Sequence, residues 1–264
     1  MNLIPRFIGV DDATRCPIIG SLFITAIAID DLNIFEKEPF TSLPIQDSKT
    51  LTHKQIKEIY IKTRNFVKYS VWQIFPWDME NFNLNDLEAK GMLLAMNRFF
   101  RFWKAEKIFI DNFDRNKDKF IQRVKKVAWA NLKPYLTDFS NWVVEHYADE
   151  KYKIVSLAGI YSKYFSNREY ELLKEIYGDF GSGNPNDKKT LEFIKKNPSC
   201  PIIRKKWATY KRLMGEGKDD EGNPKKKSES SGKRILSLPF ATTFYHLSQS
   251  HCPHVPLFSN LGSE

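Results

Sequence analysis

The chain of 264 residues carries 41 Lys and Arg against 32 Asp and Glu, a net charge of +9, with 42% hydrophobic and 14% aromatic residues. That apolar content excludes wholesale disorder and supplies a core for one large domain or two small ones. The basic balance suits a polyanionic partner such as nucleic acid without requiring one.

Residues 6–11 read as a short strand, and Ser21 to Ile29 as a second whose almost continuous apolar run fits burial on both faces. After a loop with Pro39 and Pro44, Thr52 is placed to cap a helix over about 53–64, and Val67 to Phe75 gives a third strand ended by Pro76. The spacing of Met92, Met96, Phe99, Phe100 and Trp103 predicts a helix over 86–103 with one buried stripe. A strand at 107–111 follows, then a helix near 115–130 whose apolar face holds Phe120, Ile121, Val124, Val127 and Ala128, with lysines around it. A strand at 141–147 leads into a long helix over 153–177 and two more helical stretches near 187–197 and 201–213. Helices interleaved with strands indicate an α/β sheet protein.

The composition then changes. Gly215 to Arg234 has no aliphatic or aromatic residue and reads as a disordered linker. The expected organisation is a folded domain over 1–213, a flexible charged linker over 214–234 and a tail over 235–264. His246, His251, Cys252 and His254 in the tail lack zinc-finger spacing. Three scattered cysteines, Cys16, Cys200 and Cys252, argue against a disulfide scaffold and fit a reducing compartment. Met1 to Arg6 lacks the basic-then-apolar order of a signal peptide, and the apolar stretch from Leu22 to Ile29 is too short to span a bilayer. A soluble intracellular protein, cytoplasmic or nuclear if eukaryotic, with no membrane partner, is expected.

The acids carry the chemistry. Asp11 and Asp12 close the first strand, Asp111 closes the strand at 107–111, and Asp149 follows the strand at 141–147. Burying unpaired carboxylates costs several kcal/mol, so paired acids after an apolar run do not serve packing. Acids at strand ends suit a two-metal magnesium site that cleaves phosphodiesters, because a hard cation takes carboxylate oxygens without His or Cys. Each acid also has a plainer reading: a strand-end Asp as turn former, and Asp149 as cap of the helix beginning near 153.

Several motifs sharpen this. Ile8-Gly9-Val10-Asp11-Asp12-Ala13-Thr14-Arg15-Cys16-Pro17-Ile18-Ile19-Gly20 resembles the opening of type 2 ribonuclease H (ribonuclease HII), G-[IV]-D-E-A-G-R-G-P-x-x-G. Asp47-Ser48-Lys49-x-Leu51-Thr52 is similar to that family's D-S-K-x-L-[ST], and Leu84-Asn85-Asp86-Leu87-Glu88-Ala89 to the segment before its next helix. Glu145-His146-x-Ala148-Asp149 with Ile154-Val155-Ser156-x-Ala158 resembles the archaeal and eukaryotic branch. So do Tyr177-Gly178-x-Phe180-Gly181-Ser182-Gly183-x-Pro185-x-Asp187 and Arg204-x-x-Trp207-x-Thr209. The resemblance spans about residues 7–213. It implies a ribonuclease H-like fold, a mixed five-stranded sheet flanked by helices with additional C-terminal helices. It also implies an endonuclease that cleaves the RNA strand of RNA–DNA hybrids, including ribonucleotides embedded in DNA, with magnesium or manganese. The family's four catalytic acids fall on Asp11, Asp12, Asp111 and Asp149, and accessory protein subunits serve some relatives. Lys49, Lys163 and Arg168 fall on matched motifs, which implies phosphate contacts, although isolated basic residues also read as simply solvated; His146 reads as structural.

Three positions depart from the family. Asp12 stands where the family has Glu, shortening the reach by about 1 Å against metal–oxygen distances of about 2.0–2.1 Å. Thr14-Arg15-Cys16 replaces a Gly-Arg-Gly turn whose glycines admit the sugar-phosphate backbone and 2′-hydroxyl; the new side chains crowd that approach and resist positive φ. Asn184 replaces an aromatic that packs on the junction deoxyribose. The expectation is a metal-dependent nuclease with altered specificity for embedded ribonucleotides. The alternatives are an inactive nucleic-acid-binding scaffold and a same-fold nuclease acting on another nucleic acid.

Overall fold

The structure, a computed structural model, describes residues 4–45 and 50–215. Lys49, the tail histidines and all of the expected linker and tail except Met214 and Gly215 lie outside the described residues.

The chain runs β1 (Phe7–Ala13), β2 (Leu22–Ile29), α1 (His53–Thr63), β3 (Lys68–Ile74), α2 (Pro76–Asn81) and α3 (Leu84–Met96). It continues β4 (Lys107–Asp111), α4 (Lys117–Val127), β5 (Trp142–Glu145), α5 (Ala148–Lys151), α6 (Lys153–Tyr177), α7 (Lys188–Lys196) and α8 (Ala208–Leu213). The strands form one sheet in the order β3-β2-β1-β4-β5. β1 and β2, and β2 and β3, are antiparallel, while β1 and β4, and β4 and β5, are parallel. The expected mixed five-stranded sheet with flanking and C-terminal helices is therefore present.

Alternation along the strands sends successive side chains to opposite faces. Ile8 and Val10 of β1 pack with Met92, Met96 and Phe120 under α3 and α4. Phe109, Ile27, Ile154, Ala158 and Tyr161 fill the other face under α1 and α6. Gly9 lets α6 lie directly on β1, since a Cβ there would come within 2.7 Å of the Ile154 backbone. A third cluster joins Ile18 and Ile19, in the loop after β1, to Phe180, Ile194, Ile203 and Tyr210 of the C-terminal segment.

Local chemistry sets several boundaries. Thr52 Oγ1 accepts from Gln55 N at 3.3 Å and Gln55 Oε1 accepts from Thr52 N at 2.9 Å, a reciprocal cap that starts α1 where expected. Pro76 ends β3 and also opens α2, a short helix the apolar pattern did not indicate, because Pro suits a first helical position.

Three expectations need correction. The helix predicted over 86–103 stops at Met96, and Arg101 turns left-handed (φ +50°), so Phe100 faces solvent while Phe99 and Phe102 are buried. Only Ala208–Leu213 of the stretch 201–213 is helical. Ile203 bridges Ile19 instead, and Arg204 N donates to Ile18 O at 2.9 Å. β5 ends at Glu145 rather than 147, because Tyr147 takes φ +59° and swings the chain into α5.

Candidate active site

The pairing of β1 with β4 ends at Val10 and Ile110, whereas its pairing with β2 runs on to Ala13 and Phe23. Asp11 and Asp12 therefore overhang the end of the parallel pair, next to Asp111 at the end of β4. Alternation separates them. Asp11 leans toward α6, where a Cβ on Gly159 would overlap its carboxylate oxygen. Asp12 lies on the α3 side, within electrostatic range of Glu88. Asp12 N donates to Asp11 Oδ1 at 2.8 Å, and Ala148 N donates to Asp111 Oδ1 at 2.9 Å. The second bond ties Asp111 to the start of α5, which carries the buried Asp149. Asp149 is thus a helix residue, delivered by the left-handed turn at Tyr147.

Two of the four acids, Asp11 and Asp12, are raised by burial and by their acidic neighbours. Burial holds Asp11 well above the usual carboxylate range, with Asp12, Asp111 and Asp149 adding repulsion against the hydrogen bond from Asp12 N. Burial also lifts Asp12 to about 6, Asp111 adding to the rise while Arg15 and Arg204 oppose it. Among the described residues no three His, Cys, Asp or Glu side chains close to metal-ligating geometry. The donor set nonetheless fits a hard divalent cation: four carboxylates, no sulfur, and repulsion that a cation relieves.

A pH dependence follows. Folded Asp11, Asp12 and Glu88 hold protons more tightly than their unfolded counterparts, so the folded state binds more protons and stability falls as pH rises from about 4, through about 6 for Asp12 and about 8 for Glu88. Asp179 and Asp187, lowered to about 2, complete their opposite contribution below that window. Chelated protein is expected to unfold at lower temperature at neutral pH than near pH 5, with a smaller difference in Asp12→Asn. Equal midpoints for the wild type would contradict a repulsive cluster.

The turn after β1 is held from behind. Thr14 takes φ +70°, a conformation that favours glycine and is rare for a β-branched residue. Fully buried Arg204 stabilises it: Nη1 donates to Thr14 O at 2.8 Å and Arg15 O at 3.1 Å, and Nε donates to Gly20 O at 2.7 Å. The Thr14 hydroxyl donates to Ser21 O at 2.8 Å, and Trp207 Nε1 donates to Cys16 O at 3.2 Å, with the Cys16 side chain exposed. In Thr14→Gly, relief of about 1–2 kcal/mol of backbone strain offsets a lost hydrogen bond of about 1 kcal/mol and the greater freedom of the unfolded chain. Stability is expected to stay within about 1 kcal/mol of wild type in denaturant titration; a loss beyond about 2 kcal/mol would show that the threonine side chain holds the turn.

Arg15 reaches back to α3, pairing through Nη1 with Glu88 Oε2 and donating from Nη2 to Asn85 Oδ1 at 2.7 Å. Burial and Asp12 push Glu88 up to about 8, against the pull of Arg15. Asn184 is exposed and accepts from Asn186 N at 2.9 Å; its neighbour Gly183 accepts from Ile18 N at 2.8 Å, which stitches this segment to the loop following the Thr14–Cys16 turn. Lys163 is half-buried on α6, and Arg168, exposed farther along the helix, pairs with Glu171 at 2.5 Å. His146 Nε2 sits 3.3 Å from Arg115 O and 3.4 Å from Asn112 Nδ2, in keeping with a structural part.

Sequence reasoning missed Glu88, Arg204 and Gly159. The first two lay inside matched motifs without an assigned task. The third showed only as a small residue on a buried helix face.

Comparison with known proteins places this geometry. The sequence profile of ribonuclease HII matches residues 8–210. Ribonuclease HII of Pyrococcus horikoshii is 35% identical over 213 residues, 78% of this chain and 91% of the relative. The crystal structure of ribonuclease H2 from Pyrococcus horikoshii OT3 superposes with a TM-score of 0.66 at 33% identity, covering 79% of this chain and 97% of that one. A ribonuclease HII from Archaeoglobus fulgidus, solved in complex with PCNA, gives a TM-score of 0.64 at 26% identity over 78% and 96% of the two chains.

Proposed function

The chain belongs to the ribonuclease HII family, and we propose that this type 2 ribonuclease H-like endonuclease hydrolyses the RNA strand of RNA–DNA hybrids at Asp11, Asp12, Asp111 and Asp149. The observation that carries the reading is the gathering of four carboxylates at one end of the sheet, where burial and mutual repulsion raise Asp11 and Asp12. A surface that only bound a polyanion would gain nothing from that charge. The same acids would hold two divalent ions, Mg²⁺ or Mn²⁺. Such ions, when bound, stabilise charge on the phosphate and lower the pKa of attacking water.

The protein supplies orientation. Ala148 N fixes the Asp111 carboxylate, and Gly159 leaves room for that of Asp11. Arg15 offers guanidinium donors to the bound strand, and Lys49, Lys163 and Arg168 extend basic charge for its phosphates. Thr14 and Cys16 place side chains where the family has bare backbone, and Asn184 presents an amide in place of a ring. All three weaken recognition of a lone ribonucleotide. Residues 1–213 form the catalytic domain in this reading, with 214–264 as linker and tail. The PCNA complex of the Archaeoglobus relative supports an accessory protein partner.

The test compares cleavage of a continuous hybrid with cleavage of duplex DNA carrying one ribonucleotide, in Mg²⁺, in Mn²⁺ and after chelation. Metal-dependent cleavage that favours the continuous hybrid is expected. Tight hybrid binding without turnover in either metal would replace this reading with a scaffold, and strong preference for the single ribonucleotide would overturn the altered specificity.

A further inference from the structure

Glu88 has no exposed surface, yet its Oε1 lacks a hydrogen-bond partner, while its Oε2 is committed to Arg15. A buried acid side chain with one unsatisfied oxygen lowers stability, and an apolar side chain would suit that face of α3, beside Met92, better. The cost is spent on a single guanidinium at the mouth of the site, on a side chain 34% exposed.

The hold on that guanidinium has two points. Asn85 and Glu88 lie three residues apart on α3 and so share a face. The Asn85 amide is itself oriented, since its Nδ2 donates to Asp114 Oδ1 at 3.2 Å and Asp114 is gripped by Arg123 Nε at 2.6 Å. Arg204 meanwhile pins the backbone of the same turn. A free arginine on a turn samples many rotamers, and ordering it costs entropy. Here both ends of Arg15 are restrained, on a side chain that stays partly exposed and within electrostatic range of Asp12.

We propose that Glu88, with Asn85, is a positioning residue that holds Arg15 in one orientation for the bound nucleic-acid strand, giving up fold stability to do so. This rests on the function proposed above. A purely structural Glu88 predicts that stability and activity fall together, whereas a positioning role separates them.

The experiment is a double-mutant cycle on the full chain with Glu88→Met, Glu88→Gln and Arg15→Met. Glu88→Met is expected to unfold at the wild-type temperature or above, while kcat/KM on the continuous hybrid falls about tenfold. Glu88→Gln keeps an acceptor oxygen for Arg15 and is expected to retain most activity. In the Arg15→Met background, Glu88→Met is expected to add no further loss. A full additional loss in that background, or wild-type activity in Glu88→Met alone, would overturn the proposal. Hybrid affinity measured without divalent ions reads the same cycle, so an inactive wild type that still binds overturns only the cleavage reading. A wild type that does not bind the hybrid overturns both.

Discussion

Asp111→Asn is expected to lower metal-dependent cleavage of an RNA–DNA hybrid by about a thousandfold, equivalent to about 4 kcal/mol of transition-state stabilisation. Asn retains the Oδ1 that accepts from Ala148 N at 2.9 Å, so the junction of β4 with α5 stays closed. What disappears is one negative charge, and with it part of the repulsion that raises Asp11 and Asp12. The chelated variant is accordingly expected to be as stable as wild type at neutral pH, or more so. Lost turnover with an undiminished unfolding midpoint would mark Asp111 as part of the chemistry. Undiminished cleavage in both metals would remove the site assignment.

Arg204→Met is expected to cost about 3–5 kcal/mol of stability, read by denaturant unfolding. The guanidinium is fully buried and serves the carbonyls of Thr14, Arg15 and Gly20. Burial lowers Arg204 to about 10, opposed by Tyr170 and Glu169, so it keeps its proton at neutral pH. Methionine fills much of the volume but leaves three carbonyls without their donor and the left-handed Thr14 without its clamp. Glu169, which accepts from Ser21 N at 2.8 Å and Gln73 Nε2 at 2.9 Å, also loses a compensating charge nearby. A change under about 1 kcal/mol would show that the turn holds itself.

Much of the fold was legible because its signals are local. The apolar run of β2, the Thr52–Gln55 cap and the uninterrupted 25-residue α6 each depend on neighbours in sequence. The misreadings came where distant contacts overrode periodicity. Phe100 keeps helical spacing with Met96 and Trp103, but the chain breaks after Met96 and exposes it. Pro201 to Trp207 has helical spacing, yet its backbone pairs across the molecule instead, Ile202 O accepting from Gly20 N and Arg204 N donating to Ile18 O on either side of the Ile19–Ile203 bridge.

The candidate site divides the same way. Ordered motifs by themselves singled out the four acids and the departures at Thr14, Cys16 and Asn184, since residue type and spacing are written in the chain. Tertiary structure alone decided that Gly159 makes room for Asp11 and that Glu88 and Arg204 grip the turn between them. Those contacts join residues more than seventy positions apart, and side-chain periodicity along a strand or helix carries no information about what a partner element brings to meet it.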